Sequence, residues 1–256
     1  MVLDRLMRAV LLIVNLGIII VPCSCVAPSG VVSVTFDDGP IEGWEQNKGV
    51  LSEFDVPGTF YLSRLTDISA AEWQLIEKLA LDGHEIGNHG LTHANAVTTV
   101  EAIGLDQYLI EEVDGAQDFL ESMGYTATTF AYPYGKRNAT IDDALVSRFS
   151  SIRATTYSST NTKIVDLESA FCDPEDSTAV VYAVGIDRVY GNTIDDWDRA
   201  FKKASRTSAV IVMYGHAITD EAVDQGVSPQ MLRDLFQLAN EYDLVFRPMS
   251  EIGQQR

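Results

Sequence analysis

The chain has 256 residues, which is long enough for one α/β domain with a full hydrophobic core. Hydrophobic residues make up 46% of the sequence, so the composition excludes a disordered or fibrous protein. The 37 acidic residues outnumber the 18 basic ones and give a net charge of -19, which repels phosphate backbones and anionic lipid surfaces. We therefore expect no nucleic-acid partner.

The N-terminal segment has the pattern of an export signal. Arg5 and Arg8 precede an almost uncharged apolar run at residues 9–21. A membrane span usually needs about 20 apolar residues, so a cleaved signal peptide is favoured and an uncleaved anchor is the alternative. We predict that residues 1–27 are a signal peptide or an N-terminal membrane or lipid anchor, and that residues 28–256 form the functional domain. The protein is then exported: secreted, periplasmic or anchored at the cell surface.

Two cysteines near the end of this segment raise the question of lipid attachment. Cys23 and Cys25 lie where cleavage is expected. A lipoprotein cleavage site needs a small residue before the cysteine, and Pro22 stands before Cys23 instead. The sequence leaves lipidation open, and with it an association of the N-terminus with the membrane.

Strand-like and helix-like segments alternate along the rest of the chain. Short apolar runs between turn residues predict strands at residues 31–36, 58–62, 84–87, 128–132, 152–156, 180–186, 209–213 and 244–246. Helical spacing of apolar residues predicts helices at 44–54, 70–80, 106–123, 141–149, 195–204 and 229–242. This alternation indicates βα units around a parallel sheet, with no internal repeat to divide the domain.

An acidic pair follows the first predicted strand. Asp37 and Asp38 lie on an Asp-Asp-Gly-Pro turn, and loops that follow the strands of parallel sheets build active sites. An aspartate before glycine is also common turn chemistry. The pair alone therefore leaves a purely structural interpretation open.

His89 and His93 are four positions apart in the sequence. On a helical turn this spacing places both imidazoles on one side, where they can bind one metal ion. The chain has only four histidines, and of the other two, His84 precedes the third strand and is expected to be structural. His216 follows the strand at 209–213 and is a candidate general acid, because histidine titrates near neutral pH.

Four segments together resemble motifs of one family. They are Thr35-Phe-Asp-Asp-Gly-Pro40, His89-Gly-Leu-Thr-His93, Pro133-Tyr134-Gly135 and Met213-Tyr-Gly-His216. In this order they are similar to the motifs of the polysaccharide deacetylase family of carbohydrate esterases, which includes chitin, peptidoglycan and xylan deacetylases. The second motif departs from the usual His-(Ser/Thr)-x-x-His at Gly90.

The resemblance implies a fold, a metal and an activity. The fold would be an irregular (β/α)7 barrel in a single domain. A divalent ion, usually zinc and sometimes cobalt or another metal, would be held by Asp38, His89 and His93. Asp37 would be the general base and His216 the general acid in the removal of N-acetyl groups from an N-acetylglucosamine-containing polysaccharide or oligosaccharide.

The third motif lies in an aromatic turn, Phe130-Ala-Tyr-Pro-Tyr-Gly135, which by its residues alone is a packed loop, a sugar-stacking wall or a backbone donor. The resemblance implies that the Tyr134 N–H, next to Pro133, stabilises the oxyanion. Three alternatives stay open. They are an esterase for O-acetylated xylan or another glycan, a catalytically silent carbohydrate-binding relative, and an amidase for small cyclic amides.

Two further positions depart from the family pattern. Ala131 stands where the family usually has an arginine that orients the catalytic aspartate. We predict that Arg188, at the end of the strand at 180–186, pairs with Asp37 instead, with a surface arginine as the alternative.

In the fourth motif, Asp-x-x-Asp-Trp, Thr193 replaces the first aspartate. The remaining acid of this motif, Asp196, is predicted to contact His216.

Overall fold

The computed structural model describes residues 30–173 and 180–252. The predicted signal or anchor segment, residues 1–27, lies outside these described residues. Within them, no helix has both the length and the hydrophobicity that crossing a membrane requires.

Strands and helices alternate as the sequence predicts. The strands are β1 (Val31–Asp37), β2 (Gly58–Leu62), β3 (Glu85–Asn88), β4 (Thr129–Ala131), β5 (Ser151–Thr156), β6 (Val180–Gly185), β7 (Val210–Gly215), β8 (Ala217–Ile218), β9 (Gly226–Val227) and β10 (Val245–Phe246). The helices are α1 (Ile41–Asn47), α2 (Gly49–Glu53), α3 (Ala70–Leu81), α4 (Ala96–Ile103), α5 (Leu105–Tyr108), α6 (Gly115–Ser122), α7 (Ala139–Leu145), α8 (Ile194–Thr207) and α9 (Pro229–Glu241).

Strands β1 to β7 form a closed parallel barrel. Each strand pairs with the next in the chain, and β1 also pairs with β7 from Val31↔Val210 to Phe36↔Gly215. The barrel is irregular, since β3 and β4 are joined only through Asn88↔Phe130. The predicted single-domain (β/α)7 barrel is therefore confirmed.

Successive side chains of a strand point to opposite faces of the sheet, so the barrel has one apolar core between its strands and the helices and another in its interior. Val34 and Phe36 of β1 face outward and pack with the helices, whereas Thr35 and Asp37 face the barrel interior. Inside, Tyr61, Ala183 and other side chains form a separate apolar cluster. Polar groups inside the barrel at the carboxyl ends of the strands are therefore surrounded by protein on every side except the barrel mouth.

Some elements differ from the sequence predictions. The helix predicted at 106–123 is a continuous run of α5, one π-helical turn (Leu109–Asp114) and α6. Helix α4 and the short β8–β9 pair were not predicted from the sequence. Asn95 is the N-cap of α4, and its side chain accepts hydrogen bonds from the Val97 and Thr98 N–H groups. This start signal was concealed by the weak periodicity of the segment.

Candidate active site

The adjacent carboxylates of Asp37 and Asp38 point to different surroundings. Asp37 is the last residue of β1 and is buried, with 3% exposure. Asp38 begins the following turn with φ of 75°, a left-handed conformation that aspartate tolerates better than most residues, and its side chain is 24% exposed. The turn therefore directs one carboxylate into the barrel and the other to its mouth.

His89 and His93 follow β3 and meet Asp38. The Nε2 atom of His93 lies 2.8 Å from Asp38 Oδ1, and the Nε2 atom of His89 lies 3.4 Å from the same oxygen. The predicted helical turn is wrong, because Gly90 and His93 have φ of 76° and 68°, which a right-handed helix excludes. An extended loop rather than a helix brings the two imidazoles together.

The three side chains fit a divalent metal ion. One potential ligand atom from each of Asp38, His89 and His93 lies within 4.8 Å of the others. His89 Nδ1 lies 2.7 Å from the Ala131 carbonyl oxygen and donates to it, which leaves a lone pair on Nε2 facing Asp38. The buried Oδ1 of Asp38 accepts no well-formed hydrogen bond. One carboxylate and two imidazoles are a common zinc ligand set.

The charge state of Asp38 agrees with this role. Burial raises the pKa of Asp38, but the hydrogen bonds and positive charges of His89 and His93, when these imidazoles are protonated, outweigh burial and hold the pKa well below its usual range. The carboxylate is therefore ionised at any pH at which the protein would function.

Arg153 is the cation that faces Asp37. Its Nη2 lies 2.5 Å from Asp37 Oδ2, and the two residues are only 1% and 3% exposed. Arg188 is exposed and donates to the Glu221 carbonyl oxygen at 2.5 Å, so the predicted Arg188–Asp37 pair is wrong. A buried carboxylate needs a partner inside the barrel, and a residue beyond the strand end does not reach it.

The replacement for the family arginine comes from the adjacent strand. Ala131 of β4 and Arg153 of β5 are directly paired across the sheet. The small side chain of Ala131 is on the same interior face, where the guanidinium of Arg153 lies 5.4 Å from the Tyr61 ring and 5.0 Å from the Tyr214 ring. The available sequence signal was an arginine inside a predicted buried strand.

Asp187 is the carboxylate that contacts His216. Its Oδ2 lies 2.6 Å from His216 Nδ1, and its Oδ1 accepts from the His216 backbone N–H at 3.1 Å. Asp196 instead accepts from Thr193 Oγ1 at 2.8 Å in a capping box at the start of α8, so the predicted Asp196–His216 contact is wrong. The sequence signal for Asp187 was an acid directly after the strand predicted at 180–186.

The carboxylates around His216 set its charge. Burial lowers the pKa of His216, but the hydrogen bond to Asp187 and the charges of Asp37 and Asp38 outweigh burial and raise the pKa above its ordinary value. The Nε2 atom lies 3.7 Å from Asp38 Oδ2, on the side of the cavity. Protonated His216 can therefore donate a proton there.

The loop after β4 places Tyr134 beside the candidate metal ligands, next to the buried Pro133 in the chain. Pro133 is buried, whereas Tyr134 is 58% exposed and has φ of 59°. The Tyr134 ring lies 4.4 Å from the His93 ring. The loop after β4 thus borders the candidate metal ligands.

One cavity of about 240 Å³ is lined by most of the predicted site residues, which are Asp37, Asp38, His89, His93, Tyr134 and His216. The lining residues outside the predicted site are Tyr132, Gly135, Arg153, Thr155, Tyr157, Tyr190, Tyr214 and Gln225. Tyr157 is 53% exposed, and its ring lies 6.0 Å from that of Tyr190. The cavity combines ionisable groups with an exposed aromatic wall that the sequence did not reveal.

Part of the chain is similar to known deacetylases. The family model described as polysaccharide deacetylase matches residues 26–148. A peptidoglycan-N-acetylglucosamine deacetylase of Bacillus cereus is 29% identical over 106 residues, which cover 41% of this chain and 36% of that protein. A chitin deacetylase of Pestalotiopsis sp is 28% identical over 117 residues, covering 45% and 38%. The match thus spans little more than a third of each curated relative.

The fold is similar to that of another chitin deacetylase whose structure has been solved. The structure of the chitin deacetylase from the fungal pathogen Colletotrichum lindemuthianum aligns with a TM-score of 0.60 and 18% identity, over 90% of each chain. This similarity shows that the two proteins share the barrel fold over most of their length. The resemblance predicted from the four motifs is confirmed: residues 26–148 match the polysaccharide deacetylase family, and the curated relatives are deacetylases of the same kind.

Proposed function

We propose that this protein is a metal-dependent hydrolase that removes N-acetyl groups from N-acetylglucosamine-containing polysaccharide. One observation carries the proposal: Asp37 and Asp38 after β1, His89 and His93 after β3, and His216 after β7 line a single cavity. A metal-ligand set flanked by a buried base and a protonated histidine is suited to amide hydrolysis. The deacetylases that the chain resembles support this reaction class.

The metal would be held by Asp38, His89 and His93, and we propose zinc because two imidazoles and a carboxylate suit it. Cobalt or another divalent ion would satisfy the same ligands. When bound, such an ion polarises a carbonyl group and makes water more acidic. An amide needs this assistance because its carbonyl is a poor electrophile.

Asp37 is placed to accept the proton of the attacking water. Its Oδ2 is bound by Arg153, while its Oδ1 is buried and accepts no hydrogen bond. The ion pair fixes the orientation of the carboxylate and leaves Oδ1 as the proton acceptor. Asp37 is therefore the general base of the proposed reaction.

His216 is placed to protonate the departing nitrogen. Its Nδ1 is held by Asp187, so the proton that it can deliver is on Nε2, which faces the cavity. A protonated nitrogen leaves as an amine, whereas an amide anion would not. The Tyr134 N–H would supply an additional donor to the developing oxyanion.

The substrate is proposed to be an acetylated polysaccharide or oligosaccharide. The exposed Tyr157 ring, with Tyr190 behind it, offers an apolar face beside the acidic and imidazole groups, as sugar rings require. Export is part of the proposal. It depends on the apolar run at residues 9–21, which would bring the domain to a polymer outside the cytoplasm.

The first prediction concerns acetate release. The purified protein is expected to release acetate from N-acetylglucosamine oligomers, to lose this activity on chelation and to regain it with zinc. Asp38→Ala removes one ligand and is expected to stay inactive after zinc addition. Acetylated xylan and small cyclic amides serve as comparison substrates.

The outcomes of this assay separate the alternatives. Release from acetylated xylan with none from N-acetylglucosamine oligomers would replace the proposal by an O-acetyl esterase. Sugar binding without release from any substrate would indicate a silent relative. Activity that survives complete chelation would contradict the metal dependence.

The second prediction concerns Arg153. Arg153→Ala leaves Asp37 buried without a partner, which is expected to lower the free energy of unfolding by about 3–5 kcal/mol. It should also lower kcat by up to about 10²–10⁴-fold, the usual contribution of a general base. The double variant Ala131→Arg/Arg153→Ala returns a guanidinium from the paired position and should recover part of both losses.

Arg188→Ala is the matched control, because Arg188 is exposed and binds backbone carbonyls. Urea denaturation and steady-state kinetics measure the two effects. A loss in Arg188→Ala as large as that in Arg153→Ala would show that Arg153 does not orient Asp37.

The third prediction concerns the pH profile. Since Asp187 raises the pKa of His216, Asp187→Asn is expected to lower that pKa. The acid must be protonated, so activity is lost as the pH rises through its pKa. The alkaline limb of the kcat profile should therefore move to lower pH in Asp187→Asn.

Asp195→Asn makes the same change at an exposed position of α8 and should leave the limb in place. Both variants are compared at saturating zinc. An alkaline limb unmoved by Asp187→Asn would exclude His216 as the group responsible for it.

A further inference from the structure

The loop that carries both candidate metal-ligating histidines has an unusual backbone. His93 adopts φ of 68° and Gly90 adopts φ of 76°. A left-handed conformation at a residue other than glycine costs about 1–3 kcal/mol and persists only where surrounding contacts hold it. Some feature outside the loop must therefore supply these contacts.

Glu112 supplies them. This side chain is 7% exposed and comes from the π-helical turn between α5 and α6. Its Oε2 accepts from the backbone N–H groups of Thr92 at 3.0 Å and Ala94 at 3.5 Å, and its Oε1 accepts from Thr92 Oγ1 at 2.5 Å. One carboxylate thus binds the residues on both sides of His93.

The same turn holds the start of the loop. The Leu91 N–H donates to the Glu112 carbonyl oxygen at 3.0 Å, and Asn88 Nδ2 donates to the Val113 carbonyl oxygen at 3.1 Å. The Gly90 N–H is bound by Asn88 Oδ1 at 2.9 Å. A π-helical turn exposes backbone groups that a regular α-helix would keep within itself, and here they bind the loop.

Gly90 belongs to this arrangement. A Cβ atom built at Gly90 would lie 3.2 Å from Glu112 Oε2, and its φ disfavours any side chain. The family pattern has a hydroxyl residue at this position and this chain has Gly90, while the hydroxyl of Thr92 binds the carboxylate. The position of the carboxylate is thereby matched to this particular loop sequence.

We infer that Glu112 is a positioning residue that holds His93 in its metal-binding orientation, with Thr92 as its partner. The inference rests on the proposed function in requiring that Asp38, His89 and His93 bind a divalent ion. Removing such an outer contact typically weakens metal affinity by about 10–100-fold. Glu112 contacts the loop backbone and not the metal-ligating side chains. A substitution of Glu112 should therefore weaken zinc affinity while the number of zinc ions bound per protein stays the same.

Zinc binding to the purified, chelator-stripped protein tests the inference, with affinity measured by competition against a chromophoric chelator. Glu112→Gln replaces two acceptor oxygens by one and places an amide N–H against the donors, so a loss of affinity of about 10–100-fold is expected. Thr92→Val changes an exposed residue, removes one bond and should weaken binding in the same direction. Glu111→Gln makes the matched change at the exposed neighbouring position and should leave the affinity unchanged.

Thermal unfolding of the zinc-free proteins separates positioning from general stability. Thr92→Val should unfold at the wild-type temperature and still bind zinc more weakly, and it decides the question alone if Glu112→Gln does not fold. Equal affinities of wild type, Glu112→Gln and Thr92→Val would overturn this inference and leave the proposed function standing. An equal loss in Glu111→Gln would overturn it too, and a wild-type protein that binds no zinc would overturn both.

Discussion

The parallel pairing of β1 with β7 closes the barrel, and the site depends on this closure. Along Val31–Phe36 the first strand is held by β7 on one edge, while β10 and then β2 occupy its other edge. All seven strands run in the same direction, so side chains that follow strands far apart in the sequence meet at one rim. The closure brings Asp38 within 3.7 Å of His216, although 178 residues separate them in the chain. An open sheet with the same strands would leave these two groups on opposite edges.

The rim departs from relaxed backbone geometry where the chemistry is proposed. Asp38, His93 and Tyr134 all have positive φ, and each such residue costs about 1–3 kcal/mol. Three buried charged side chains make contacts around this rim. Arg153 binds Asp37, Asp187 binds His216, and Glu112 binds the loop of His93. Removing ions from water is costly, so these pairs do not explain the stability of the fold. The outer apolar layer between the strands and helices provides that stability, and the buried pairs fix orientation.

The sequence predicted the barrel well because its strands and helices follow simple periodicities. Period-two and period-3.6 patterns are local, and the segments that carry them appear in the structure within a few residues of the predicted bounds. The metal-ligand candidates came from the spacing of the two histidines and from the motif resemblance. His89 and His93 do lie beside Asp38, but the helical turn invoked to bring them together does not exist.

The partners of the site residues could not be predicted in the same way. Arg153 and Ala131 are 22 positions apart in the sequence and become neighbours only through the β4–β5 register. The sequence predicts Asp196 as the partner of His216 because it lies in a motif-like segment, but Asp196 belongs to the capping box of α8 and Asp187 is the partner. A pattern of residue types shows which groups are present, whereas the orientation of a side chain depends on the register and twist of a closed sheet. Partnerships across the barrel therefore require the three-dimensional structure.

The central claim is that Asp38, His89 and His93 bind one divalent ion at the rim of this barrel. Anomalous diffraction at the zinc absorption edge, from crystals of the protein grown with zinc, tests this claim most directly. We expect one strong peak enclosed by these three side chains, at about 2.0–2.2 Å from the two Nε2 atoms and the Asp38 carboxylate. A peak bound elsewhere on the protein, or none between these residues, would contradict the account.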